Sequence, residues 1–107
     1  MKKTSLLLVA AILMVTFISG CKKPVTYGNV TFWCAQNEGT VTVTMNGQVQ
    51  TITGYVTGGV PNCGNAVSAN FTLPEGTYNY SAISTNTFTW TGTAVVIGDN
   101  CQLYQFQ

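Results

Sequence analysis

The stretch Thr40-Val41-Thr42-Val43-Thr44-Met45, followed at once by Asn46-Gly47, restricts the fold more than any other part of this chain. Strict alternation of apolar and hydroxyl side chains is the period of a half-buried strand, so Val41, Val43 and Met45 share one face while Thr40, Thr42 and Thr44 take the other. Asn-Gly suits a type I′ turn because both central residues of that turn need positive φ. A strand that ends in such a turn runs straight into an antiparallel partner, here from about Gln48 to Val56. The chain therefore declares itself β from the inside out.

The remaining sequence repeats the theme. Runs of strand-favouring Thr, Val, Tyr, Phe and Trp are separated by Gly, Pro and Asn at the spacing of an antiparallel sandwich. Seven strands are expected, the others spanning about Tyr27–Cys34, Val67–Leu73, Thr77–Ile83, Thr87–Ile97 and Cys101–Phe106. Alternation turns Val67, Ala69, Phe71 and Leu73 inward. It groups Tyr78 with Tyr80 and Ala82, and it groups Phe88 with Trp90, Gly92, Ala94 and Val96. Gly54 reads as a bulge in the third strand. Residues 57–65, rich in Gly, Pro and Asn, form the longest irregular segment. The fold class is all-β, a single antiparallel sandwich preceded by a cleavable signal helix.

Charge is distributed unevenly. The four cations of the chain are Lys2, Lys3, Lys22 and Lys23, and there is no His. Residues 24–107 consequently hold no cation, and their ionisable carboxylate side chains are Glu38, Glu75 and Asp99. Nucleic-acid affinity comes largely from Lys and Arg neutralising phosphates, so that partner is excluded. A Ser-His-Asp triad cannot be assembled without His. General acid-base work draws on His, Lys or a tuned carboxylate pair. The one conceivable pair is Glu75 with Asp99, in turns placed at the same end of the sandwich. No enzyme, no catalytic residue, no cofactor and no metal site is expected.

The first twenty-one residues have a separate logic. Lys2 and Lys3 precede an apolar run from Leu6 to Ile18, shorter than the roughly twenty residues of a spanning helix. Small residues then lead to a cysteine. The tetrad Ile18-Ser19-Gly20-Cys21 resembles the bacterial lipobox. That resemblance implies cleavage before Cys21, acylation of its sulfur and a membrane anchor stronger than a single acyl chain gives. The organisation follows as signal peptide 1–20, lipidated Cys21 with a short tether over 21–26, and a β-sandwich domain over 27–107. Lys22 and Lys23 would then either contact anionic headgroups beside the acyl chains or form a solvated linker. The expected location is the cell envelope, lipid-anchored and at the outer membrane, facing either periplasm or surface.

Within the domain, Leu73-Pro74-Glu75-Gly76-Thr77-Tyr78 resembles the turn and strand of small prealbumin-like sandwich modules, among them carboxypeptidase regulatory-like and collagen-adhesin B-type repeats. Such modules act as non-catalytic stalks, spacers or carbohydrate-associated domains. Pro61-Asn62-Cys63-Gly64 is similar to a motif shared by small lipoproteins of Bacteroidota. Neither resemblance carries catalytic residues onto this chain.

With Cys21 assigned to lipid, Cys34, Cys63 and Cys101 remain in an oxidising compartment, where a disulfide is expected. Counting strands up and down puts Cys34 and Cys63 at one end and Cys101 at the other. Bridged Cα atoms lie within about 7 Å, which favours Cys34 with Cys63 and leaves Cys101 as the spare thiol; a strand count off by one makes Cys101 a partner instead. No Cys-x-x-Cys and no His point to zinc or redox chemistry.

Two binding readings emerge. The first is an interaction or structural subunit of an outer-membrane assembly, whose charge-poor surface is covered by a protein neighbour. The alternative is a glycan-binding accessory using Trp33, Tyr55, Trp90 and Tyr104 as a stacking platform. The Thr-x-Thr rows at 40–44 and 87–93 superficially resemble ice-binding ladders, but a twisted sandwich lacks the flat repeated register those require.

Overall fold

A computed structural model describes residues 24–107. The expected signal peptide 1–20, the expected lipidation site Cys21, and Lys22 and Lys23 lie outside the described residues. Seven strands follow in order: β1 (Tyr27–Cys34), β2 (Val41–Met45), β3 (Gln48–Ile52), β4 (Ala69–Pro74), β5 (Gly76–Ser84), β6 (Thr89–Val96) and β7 (Cys101–Phe106). They form a three-stranded sheet ordered β4-β1-β7 and a four-stranded sheet ordered β3-β2-β5-β6. No helix occurs among the described residues. The protein is an all-β sandwich.

The local signals act as expected. Asn46 and Gly47 take φ of 52° and 74°, so the β2–β3 hairpin turns with Met45 opposite Gln48. Val41, Val43 and Met45 are buried, as are Ala69, Phe71 and Leu73, but Val67, expected inward with them, lies in the turn before β4 and is half-buried. Phe32 sits at the centre of the core. Its ring lies 4.9–5.8 Å from those of Phe71, Tyr80, Tyr104 and Phe106, and burying each such side chain stabilises the fold by about 1.5–3 kcal/mol.

Three expectations are revised. β3 stops at Ile52 rather than Val56, because the chain leaves the sheet there: Thr53 N–H bonds to the Val67 carbonyl and Val56 N–H to the Cys34 carbonyl. Gly54 is therefore beyond the strand end and marks no bulge. β6 starts at Thr89 because Ser84 N–H bonds to the Phe88 carbonyl and closes a short turn over 85–87. Phe88 keeps its inward parity but projects past the end of the sheet, where it is 58% exposed.

The largest revision concerns β7. It joins β1 in parallel, with Asn29 opposite Cys101 and Cys34 opposite Phe106, while every other strand pair is antiparallel. β6 and β7 lie in different sheets, so the turn between them crosses the sandwich instead of reversing within one layer. Asp99 N–H bonds to the Tyr27 carbonyl and Asn29 N–H to the Asn100 carbonyl, which fixes that crossing at the start of β1.

This crossing decides the disulfide. Cys63 pairs with Cys101, at a Cα separation of 6.2 Å, and Cys34 is the free, buried thiol. The expected Cys34–Cys63 bridge does not form, and Cys101 is not spare. Cys34 points into the core with Val30 and Phe32, whereas the segment 53–68 folds back over the outer face of β1 and carries Cys63 to the start of β7. Both faces of β1 are covered as a result. Thr31 and Trp33, on the outward parity, are 0% and 5% exposed.

Candidate functional site

The chain enters the domain at one end of the sandwich. Thr26 and Tyr27 bond there to Glu75 and Asp99 backbone N–H groups. Glu75 and Asp99 do share this end, since a Cβ on Gly98 would stand 3.0 Å from Glu75 Oε1. Both carboxylates are exposed in turns. Among the described residues no group of three or more His, Cys, Asp and Glu side chains is arranged to hold a metal ion.

β1 carries the chain eight residues to the opposite end, about 25 Å at the usual rise. There the turn after Cys34 meets the β5–β6 turn and the end of β7. Thr85 N–H bonds to the Thr40 carbonyl at 3.0 Å, and Thr40 N–H returns a bond to Thr85 Oγ1 at 3.3 Å. Asn37 Oδ1 accepts from Gly39 N–H at 3.0 Å, which holds the first turn in shape. The two turns are thereby clamped together.

Between them opens a groove of about 430 Å³, within the roughly 300–1,000 Å³ of small-ligand sites. Trp90 forms one wall. Its ring stacks on Phe106 at 5.0 Å and 26°, and its Nε1–H donates to the Gln107 carbonyl at 3.0 Å. These contacts fix the indole orientation and leave it half-buried. Phe88 stands beside it, ring centroids 6.5 Å apart and tilted by 54°. Gln36, Asn37, Asn86 and Gln107 supply amides around the rim, and Glu38 the one carboxylate side chain.

No protein-family model, curated protein or solved structure matches the chain.

The four aromatics expected to form a platform do not come together. Trp33 is buried on the outer face of β1. Tyr55 is 50% exposed in the covering segment 53–68. Tyr104 stacks on Phe32, with its hydroxyl accepting from Val95 N–H at 2.9 Å. Only Trp90 reaches the groove. Its neighbours there were not singled out from the sequence, although an aromatic directly after Asn86-Thr87 was a readable sign: turn residues end a strand, so the next side chain can fall beyond the sheet.

Two features near the groove bear on its chemistry. Thr87 takes a φ of 68°, a left-handed conformation that a β-branched residue rarely adopts. It is held by the Ser84 bonds, including Phe88 N–H to Ser84 Oγ at 3.1 Å, and it directs Phe88 to the groove. Burial pushes the Cys34 thiol up to about 11, with the Glu38 charge adding to the effect. Cys34 thus stays a neutral packing residue.

Proposed function

We propose that this chain is a lipid-anchored, non-catalytic module of the bacterial cell envelope, an interaction or structural subunit of an outer-membrane assembly held through acyl chains on Cys21. One observation carries the interaction part of the reading: the outer face of the four-stranded sheet has no charged group. Across its strands Thr51, Thr42, Ile83 and Thr89 stand in one row, and Val49, Thr44, Ser81 and Thr91 in the next. Val49 and Ile83 are more than half exposed.

Covering such a face with a protein neighbour requires no burial of an unpaired charge, the most costly event at an interface. Hydroxyls and methyls together accept either a polar or an apolar partner surface. The lipobox resemblance and the short tether supply the anchor, and the absence of Lys, Arg and His from residues 24–107 supports a non-catalytic role.

Gentle detergent extraction from native membranes tests the reading. The protein is expected to migrate with a partner, to lose it in Ser81→Lys, and to leave the membrane fraction in Cys21→Ala. Recovery solely as a monomer removes the interaction reading. Membrane retention of Cys21→Ala removes the lipid anchor.

A further inference from the structure

We infer that the Phe88–Trp90 groove is a binding site for a neutral saccharide. The argument starts from what the groove lacks. It contains one carboxylate side chain, Glu38, and no cation is present anywhere among the described residues. Phosphorylated, sulfated or uronic-acid ligands would meet repulsion there with nothing to offset it. A purely apolar ligand fits no better, because it would strip water from the amides of Gln36, Asn86 and Gln107 without replacing their hydrogen bonds. A neutral sugar satisfies both constraints.

Sugar rings present an apolar C–H face and a rim of hydroxyls. Phe88 and Trp90 offer ring surface to the first, and aromatic side chains combine large apolar area with few rotatable bonds. The amides answer the second, since each carries two donors and an acceptor that can meet a hydroxyl of either polarity. Among the described residues the side-chain amides of Gln36, Asn86 and Gln107 make no hydrogen bond, since the bonds at Asn86 and Gln107 use their backbone oxygens, so these amides are open to a ligand.

The groove is also built rather than incidental. Trp90 is locked by Phe106 and the Gln107 carbonyl, the two turns are clamped through Thr40 and Thr85, and the strained Thr87 presents Phe88. An adjoining depression of about 300 Å³ shares Gln36, Glu38 and Gln107 with the groove and continues it towards Phe106. Its position adds a geometric point. It lies at the end of the sandwich opposite Thr26, where the described chain enters the domain.

The test uses the full-length protein in a non-glycosidic detergent, titrated by calorimetry with cellohexaose, xylohexaose, mannohexaose and maltohexaose, and with hexagalacturonate as the anionic control. At least one neutral oligosaccharide is expected to bind and to shift the tryptophan emission, with Trp33→Phe retaining that shift. Phe88→Ala should weaken binding about tenfold or more, as loss of an aromatic anchor does. Tyr55→Ala should leave it unchanged. Phe88 is largely exposed, so its removal spares the fold, which thermal unfolding verifies. Absence of binding by all four neutral sugars at millimolar concentration overturns the proposal. Binding untouched by both Phe88→Ala and Asn86→Ala overturns it equally, as does a preference for hexagalacturonate. The readout does not depend on acylation of Cys21, so its failure and that of the envelope reading are separable.

Discussion

The Thr31 hydroxyl donates to Asn70 Oδ1 at 2.7 Å and accepts from Gly64 N–H at 3.1 Å, while the Cys63 and Cys101 sulfurs approach it to 3.7 and 4.0 Å. One buried hydroxyl thus links β1, β4 and the covering segment beneath the disulfide. Asn70 extends the network, its amide donating to the Asn65 and Ser68 carbonyls. The outer face of the three-stranded sheet is a polar core held shut by a covalent bond.

Thr31→Val removes the hydroxyl at nearly constant volume and leaves Asn70 Oδ1 and Gly64 N–H short of a partner. A loss of about 1–3 kcal/mol in urea unfolding is expected, and Thr31→Ser, which keeps the hydroxyl, should recover most of it. Equal stability of Thr31→Val and the parent would refute the network.

The Cys63–Cys101 bridge spans 38 residues of sequence. Chain-entropy arguments give such a loop roughly 4 kcal/mol. The double variant Cys63→Ala, Cys101→Ala should lose stability of that order, whereas Cys34→Ala should leave the bridge intact. Peptide mapping under non-reducing conditions should recover Cys63 joined to Cys101, with Cys34 alkylated only after unfolding.

Gly28 is buried where β1 meets the start of the β6–β7 crossing. A Cβ there would overlap the Ile97 carbonyl, and backbone cannot move aside as a flexible side chain can. Gly28→Ala should destabilise by about 2 kcal/mol or more, or fail to accumulate folded protein. A thermal midpoint equal to that of the parent would contradict the packing.

Cys34 gives a pH signature. Its thiol titrates near 9 when unfolded and near 11 when folded, so above pH 9 the unfolded state releases a proton that the native state retains. Stability contributed by this residue is fully present below pH 9 and declines as pH rises towards 11. Cys34→Ala should show a shallower decline over that window in denaturant titrations at fixed ionic strength. Identical slopes would place the thiol outside the core.

Much of this architecture is legible in the sequence because it is local. Alternation set the inner faces of β2 and β4, and Asn46-Gly47 set the geometry of the β2–β3 hairpin, since side-chain period and φ preference need no distant partner. Trp90 was legible as a candidate from its residue type alone. Phe88 was legible only through the turn residues Asn86-Thr87 before it, because parity assigns a face but says nothing of where a strand stops.

What the sequence by itself determined is the all-β class, the seven strands and a body without cations. Only the tertiary structure decided that β7 lies parallel to β1, that residues 53–68 cover β1, and hence that Cys63 meets Cys101 instead of Cys34. Strand order depends on which sheet a crossing chain enters, and that follows from summed packing of both layers, not from any local preference. The same packing buried Trp33, drew Tyr104 against Phe32, and left Trp90 beside Phe88 at the far end of the sandwich.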